Sequence, residues 1–252
     1  MKSSYKHIIL APFLIGCSGA DNGGDFHTTT NVFPACMFYD GAADGGGSVV
    51  SVSAYPYAFL LTHPHISLIF WGKYDSNVST KLSNAWKTLA ADHNFWQPLS
   101  EYGIGDGSFS GVYYSNTKLL AGHISESDLQ TELKSEIANG TLPQPDSNSL
   151  YAIMLPSTTT SADDIAKGYN GHHYLIDNVV YSVVDYNTDI NVLDIVLSHE
   201  IHEAATDSYI GGYSNSDGQE IGDLCQGSGD SYMLDGVYVQ KVWSQTECRC
   251  IP

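Results

Sequence analysis

Positive charge is scarce in this chain: ten Lys and Arg stand against 28 Asp and Glu in 252 residues, a formal net charge of −18. A surface so poor in cations cannot neutralise a row of phosphates, which excludes nucleic acid as a partner. Charge of either sign is sparse, at 15% of residues. With much Gly, Ser, Thr, Asn and Tyr, that balance fits an acidic extracytoplasmic protein, for which calcium is a further candidate ion; most of the carboxylates read as a solvated face. Long apolar runs are also lacking. The N-terminal one, Ile8 to Ile15, is too short to cross a bilayer as a permanent helix. Five cysteines occur without a C-x-x-C pair, which argues against a four-cysteine zinc site, and no internal repeat points to a solenoid.

The N-terminus instead has the layout of an export signal. Lys2 and Lys6 precede the apolar run, and Leu14-Ile15-Gly16-Cys17 resembles a bacterial lipobox. Residues 1–16 are expected to be a lipoprotein-type signal peptide, with Cys17 lipidated and the membrane met only through that anchor. Cleavage a few residues later, as in an ordinary signal peptide, would change the anchoring and leave the compartment the same. Removing residues 1–16 takes away Lys2 and Lys6 and no acid, leaving 8 minus 28, or −20. Cys36, Cys225, Cys248 and Cys250 then remain for an oxidising compartment, an even number that implies two disulfides. Cys248 and Cys250 stand two apart and could join each other only with strain. Two connectivities stay open, in which one of this pair bonds Cys36 and the other Cys225.

Residues 17–50, rich in Gly, Asp, Ser and Thr, read as a flexible tether pinned at Cys36. After it, His65 to Tyr74 reads as a buried strand. Asn77 to Trp96, with apolar residues at Val78, Leu82, Ala85, Trp86 and Leu89, reads as an amphipathic helix. Phe109 to Tyr114 is a second strand. Ser125 caps a second helix that Gly140 ends, and Leu150 to Leu155 and Asn178 to Tyr186 are further strands. A last long helix spans 191–207, and a turn-rich lobe, 208–252, follows. This alternation predicts an α/β (α+β) domain over 51–252, a mixed sheet with helices packed on it.

The chemistry concentrates in residues 198–207, SHEIHEAATD. On a helix, His199 and Glu203 at i and i+4 share a face, so both can reach one ion, while Glu200 flanks a water on that ion as general base. Glu203 stands where HExxH has its second histidine; a carboxylate is an acceptable zinc ligand. The flanks Ile195-Val196-Leu197 and Ala204-Ala205 look buried, so His199, Glu200, His202 and Glu203 would sit in apolar surroundings at a high cost unless an ion or partners satisfy them. A catalytic zinc needs a third protein ligand, and Glu220 and Asp223 in QEIGDLC are the candidates. His202 is expected on the cleft rim, with a lesser role as alternative ligand. His172, His173 and Tyr213 are candidates for substrate or transition-state contacts.

These segments carry two resemblances. HEIHEAATD followed by QEIGD resembles the gluzincin pattern of thermolysin-like peptidases, and the strand and helix order resembles the upper lobe of zincins. That likeness implies a zincin-like sheet, a metal-binding active-site helix, Glu220 as third ligand and Asp223 as a neighbour holding His199. SHEIHEAATD, EIGDLC, VQKVWSQTEC and GYNGHHY together resemble the exordium or phosphate-induced family of secreted proteins. The likeness covers about residues 65–250. In that family the position of His202 is not histidine, which favours His199 and Glu203 as the ligand pair. The expectation is one zinc ion and a surface-anchored zinc endopeptidase acting on a protein or peptide. The alternative is a non-catalytic, metal-stabilised binding or adhesion module of exordium-like type.

Overall fold

The computed structural model describes residues 36–38, 48–55, 58–115, 122–208, 211–227 and 229–252. The expected signal peptide, residues 1–16, and Cys17 fall outside the described residues. In chain order the elements begin with β1 (Cys36–Phe38), β2 (Ser48–Val50), β3 (His65–Trp71), α1 (Ser76–Leu89) and α2 (His93–Trp96). Then follow β4 (Ser108–Ser115), β5 (Gly122–Ile124), α3 (Glu126–Ala138), β6 (Ser149–Met154), β7 (Thr159–Ser161) and α4 (Ala162–Lys167). The rest are β8 (Gly171–Ile176), β9 (Val179–Val184), α5 (Ile190–Thr206), β10 (Ser231–Leu234), β11 (Val237–Gln240), β12 (Val242–Ser244) and β13 (Arg249–Ile251).

A five-stranded mixed sheet in the order β4-β3-β6-β9-β8 organises the domain. Its first four strands are parallel and β8 is antiparallel to β9 at the edge. Apolar residues alternate between two cores, as the two-residue period of a strand requires. Ile66, Leu68 and Phe70, with Leu150, Ala152 and Met154, join Leu82 and Trp86 of α1 and Leu193, Leu197 and Ile201 of α5 on one face. Ile69, Trp71, Tyr151, Ile153, Tyr181 and Val183 pack with Leu129, Leu133 and Ile137 of α3 on the other. Both faces are covered, and for that reason β3, β6 and β9 read as nearly continuous apolar runs.

Four expectations change in detail. The helix expected over 77–96 breaks after Leu89, because Asp92 adopts an extended conformation and its side chain accepts from Asn94 N–H to start α2. Within the stretch read as a tether, β1 and β2 pair antiparallel and Cys36 is buried. The strand over 178–186 is the second arm of a hairpin: Asp177 and Asn178, both at positive φ, form the two-residue turn from β8. The lobe after α5 is less irregular than expected, since β10 pairs with β11 and β12 with β13. Ser125 caps α3 as expected, accepting from Asp128 N–H at 3.2 Å.

Of the two open connectivities, the structure has Cys36–Cys248 and Cys225–Cys250. The second ties the 3-10 turn Asp223–Cys225 to β13, so the turn that presents Asp223 is held covalently to the end of the chain. Two disulfides accord with an extracytoplasmic compartment. No helix among the described residues is long and apolar enough to cross a membrane.

Candidate metal centre

Helix α5 starts at Asp189, which accepts from Asn191 N–H, and lies against β8, β9 and β11. Trp86 donates its indole N–H to Asp194 Oδ1 at 2.9 Å, an anchor between α1 and the first turns of α5. The second half of α5 is buried all round, including His199, Glu200, His202 and Glu203. Burying that many ionisable groups on an otherwise apolar helix requires specific partners.

His199 has one fixed face. Gln240 donates its amide to the carbonyls of Gly222, at 2.7 Å, and Cys225, at 3.3 Å, which leaves its Oε1 as an acceptor, and His199 Nδ1 lies 3.0 Å from that oxygen. Nδ1 therefore carries hydrogen, and in a neutral ring Nε2 holds the lone pair. Nε2 faces Glu203 Oε2 at 3.1 Å, with Asp223 Oδ1 at 3.9 Å. The other Glu203 oxygen accepts from the N–H groups of Gly222 and Asp223, at 3.1 and 2.9 Å, so the carboxylate is aimed as firmly as the imidazole. Two acceptors facing each other at 3.1 Å need a proton or a cation between them. His199, Glu203 and Asp223 bring one ligand atom each within 4.8 Å of one another, a donor set that could hold a metal ion.

Backbone approaches this centre so closely that a side chain is not accommodated. A Cβ at Gly222 would lie 2.7 Å from His199 Nδ1 and 2.8 Å from Glu203 Oε1, and one at Gly171 would lie 3.0 Å from Glu200 Oε1. Around it a cavity of about 610 Å³ opens, lined by Gly171 to Tyr174 of β8, by α5 and by Glu220 and Asp223, among others.

In the metal-free state, burial disfavours the His199 imidazolium, but Glu203 and, more weakly, Glu200 and Asp223 outweigh it and push the pKa up to about 10. Burial would raise the Glu203 carboxyl; the charges of His199 and His173 overcome it and hold it at about 2. Glu220 moves the other way, to about 9, driven by burial with the Glu203 and Asp207 charges adding to the rise and His173 opposing it.

The expected site residues separate into groups. His199, Glu200 and Glu203 converge as expected. Asp223, expected to support His199 or to serve as an alternative ligand, stands beside Glu203 as the third member of the cluster, while Gln240 holds His199 Nδ1. Glu220, expected as the third ligand, is hydrogen-bonded to Glu203 but stands outside the His199, Glu203 and Asp223 cluster, with Oε1 3.5 Å from His173 Nε2. The reason is local: Glu203 accepts the N–H of Asp223 at the head of the 3-10 turn, whereas Glu220 precedes that turn in a bridge to Ser214. His202 is not on the rim. Its ring packs 4.3 Å from Phe95 and near Trp96 in the core, neither nitrogen makes a hydrogen bond of ordinary geometry, and burial pushes it down to about 3 against a weaker pull from the Phe95 backbone. Tyr213 is buried too, its ring 4.8 Å from that of Tyr102, and does not line the cavity.

His172 and His173 alternate in direction along β8. His172 lines the cavity away from the ligand cluster, its Nδ1 2.9 Å from both Asp164 oxygens and its Nε2 2.9 Å from Glu126 Oε2. Tyr181 and Gln130 hold Glu126 in turn. His173 enters the cluster itself, with Nδ1 3.2 Å from Glu200 Oε2. Sequence reasoning missed Gln240, Glu126 and Asp164. For Gln240 a signal existed, a polar residue in VQKVW where the pattern buries its neighbours.

In comparisons with known proteins, no family model and no curated protein matches this chain.

Proposed function

We propose that the protein is a metal-dependent hydrolase of peptide bonds, an exported zinc endopeptidase held at the envelope through Cys17. The observation that carries this reading is the pair of facing acceptors, His199 Nε2 and Glu203 Oε2, beside Asp223 and open to the cavity. Zinc in that position would supply a Lewis acid for a substrate carbonyl. Glu200, next to the ligands and lining the cavity, is the general base, taking a proton from the attacking water and returning it to the leaving amine. Strand β8 ends the five-stranded sheet and its residues line the same cavity, so an extended peptide can add to that edge. That supports a peptide over a small ester or amide. The likeness of HEIHEAATD and QEIGD to the gluzincin pattern agrees with it.

A second reading, a metal-stabilised binding module, draws on Glu220. Its carboxyl is half-buried and hydrogen-bonded to Glu203, and as a fourth ligand it would close the ion to substrate. Glu200→Gln and Glu203→Gln separate the two. With an unstructured protein such as casein as substrate, Glu200→Gln should keep zinc at His199 and lose turnover by about 10²–10⁴-fold, whereas Glu203→Gln should lose both. No hydrolysis by the zinc-loaded wild type would refute the enzyme reading, and undiminished hydrolysis by Glu200→Gln would refute Glu200 as its base.

A further inference from the structure

His173 repeats, from the opposite wall, the arrangement that makes His199 a ligand. Its Nε2 lies 2.9 Å from the Asp207 backbone oxygen, an acceptor that fixes hydrogen on that nitrogen. Nδ1 is then the lone-pair nitrogen of the neutral ring, and it faces Glu200 Oε2 at 3.2 Å and Glu203 Oε2 at 3.9 Å. The ring is rigidly placed: it is one of the paired residues in the β8–β9 ladder, opposite Ser182, and its side chain is only 10% exposed. His173, Glu200 and Glu203 bring one ligand atom each within 4.8 Å, as do His199, Glu203 and Asp223. The two groups have Glu203 in common.

We propose that His173, Glu200 and Glu203 form a second divalent-cation position that shares the Glu203 carboxylate with the first and, when filled, removes Glu200 from service as a base. Charge supports it. Glu200, Glu203, Asp207, Glu220 and Asp223 all line the cavity, and with both imidazoles neutral a single divalent ion leaves them under-compensated. A carboxylate common to two ions is the usual construction of two-metal centres, whose ions lie about 3.5–4 Å apart. The position is the weaker of the two, because its histidine nitrogen lies 3.9 Å from the shared Glu203 Oε2, against 3.1 Å for His199 Nε2. The loss of hydrolysis on filling it rests on the function proposed above; the occupancy itself does not.

The test is zinc stoichiometry, by calorimetric titration and elemental analysis of the metal-freed full chain, for wild type, His173→Gln, Glu200→Gln and Asp223→Asn, each checked for folding by circular dichroism. Two ions in wild type, the second about tenfold or more weaker, and one in each variant are expected. Cobalt supplies an independent readout: spin coupling in the paramagnetic resonance spectrum should appear only with the second equivalent and be absent in Glu200→Gln. One ion in wild type that survives in His173→Gln and Glu200→Gln but not in Asp223→Asn would overturn the second position and leave the hydrolase reading intact. One ion with the reverse pattern would overturn both, since the metal would then be held by Glu200. Two ions retained in both His173→Gln and Glu200→Gln would overturn the ligand assignment.

Discussion

Gly222→Ala puts the architecture of the centre to a sharp test. Gly222 has φ −79° and ψ −41°, so alanine fits the backbone without strain, and any effect must come from the added Cβ. That atom would stand 2.7 Å from His199 Nδ1 and 2.8 Å from Glu203 Oε1, where ordinary contact begins near 3.4 Å. Relief requires a shift of about 0.7 Å by a ligand or by the turn, and each group that could move is hydrogen-bonded: His199 to Gln240, Glu203 to Gly222 and Asp223. Overpacking of this kind costs about 1–3 kcal/mol, and loss of a group that orients a ligand typically weakens metal binding about 10- to 100-fold. Competition titration against a chelator of known affinity measures the second quantity, and a melting curve of the metal-free protein the first. For a domain of this size the midpoint should fall by roughly 3–10 °C. Zinc affinity within threefold of wild type would refute the reasoning, because the helix and the turn would then not be locked together as described.

Two further outcomes concern the histidines outside the ligand set. Burial lowers the His172 pKa, but Asp164 and Glu126 raise it to about 9, so the ion pairs stabilise the fold fully below about pH 6.5 and fade as pH rises through 9. His172→Gln should therefore cost up to about 3 kcal/mol at pH 6 and little at pH 10, in denaturant titrations at the two pH values; an equal cost at both would count against the pairing. His202→Leu should leave zinc binding unchanged and leave the melting temperature equal or higher, since it replaces an imidazole lacking ordinary hydrogen bonds by an apolar side chain among Phe95 and Trp96; loss of metal would restore His202 as a ligand.

The strands and helices of the sheet were legible because their residues repeat at the periods of the element: Leu129, Leu133 and Ile137 in α3, and the apolar runs of β3, β6 and β9. The i, i+4 pair of α5 was legible for the same reason, since spacing within one helix converts directly to distance. What was not legible was which polar side chains meet between elements. Whether Glu220 or Asp223 meets His199 depends on the hydrogen bonds of a 3-10 turn three residues long, and both carboxylates fit the sequence equally well. His202 looked like a rim residue because only the packing of α2 against α5 decides which polar side chain turns inward. His173 was visible as a histidine near a strand, yet the hairpin that swings it over Glu200 hangs on Asp177 and Asn178, a turn signal left unread.

Each part of the centre is held by a different device. The β8–β9 ladder places His173, burial and the Trp86–Asp194 bond place α5, the Cys225–Cys250 bridge holds the turn of Asp223, and the β10–β11 hairpin ends in Gln240. None of these devices involves the metal. The large two-faced core can carry the fold without it, unlike a zinc finger, where ligation is the folding energy. Metal is therefore expected to enter a preformed cluster and to exchange for protons there: against burial, Glu203 pushes the His199 pKa up to about 10, so binding should release a proton and affinity should rise with pH. The carboxylates that make an empty cluster unfavourable are the same ones that would make it a cation site, so the fold would set the strength of binding by how many of them it forces together around Glu203.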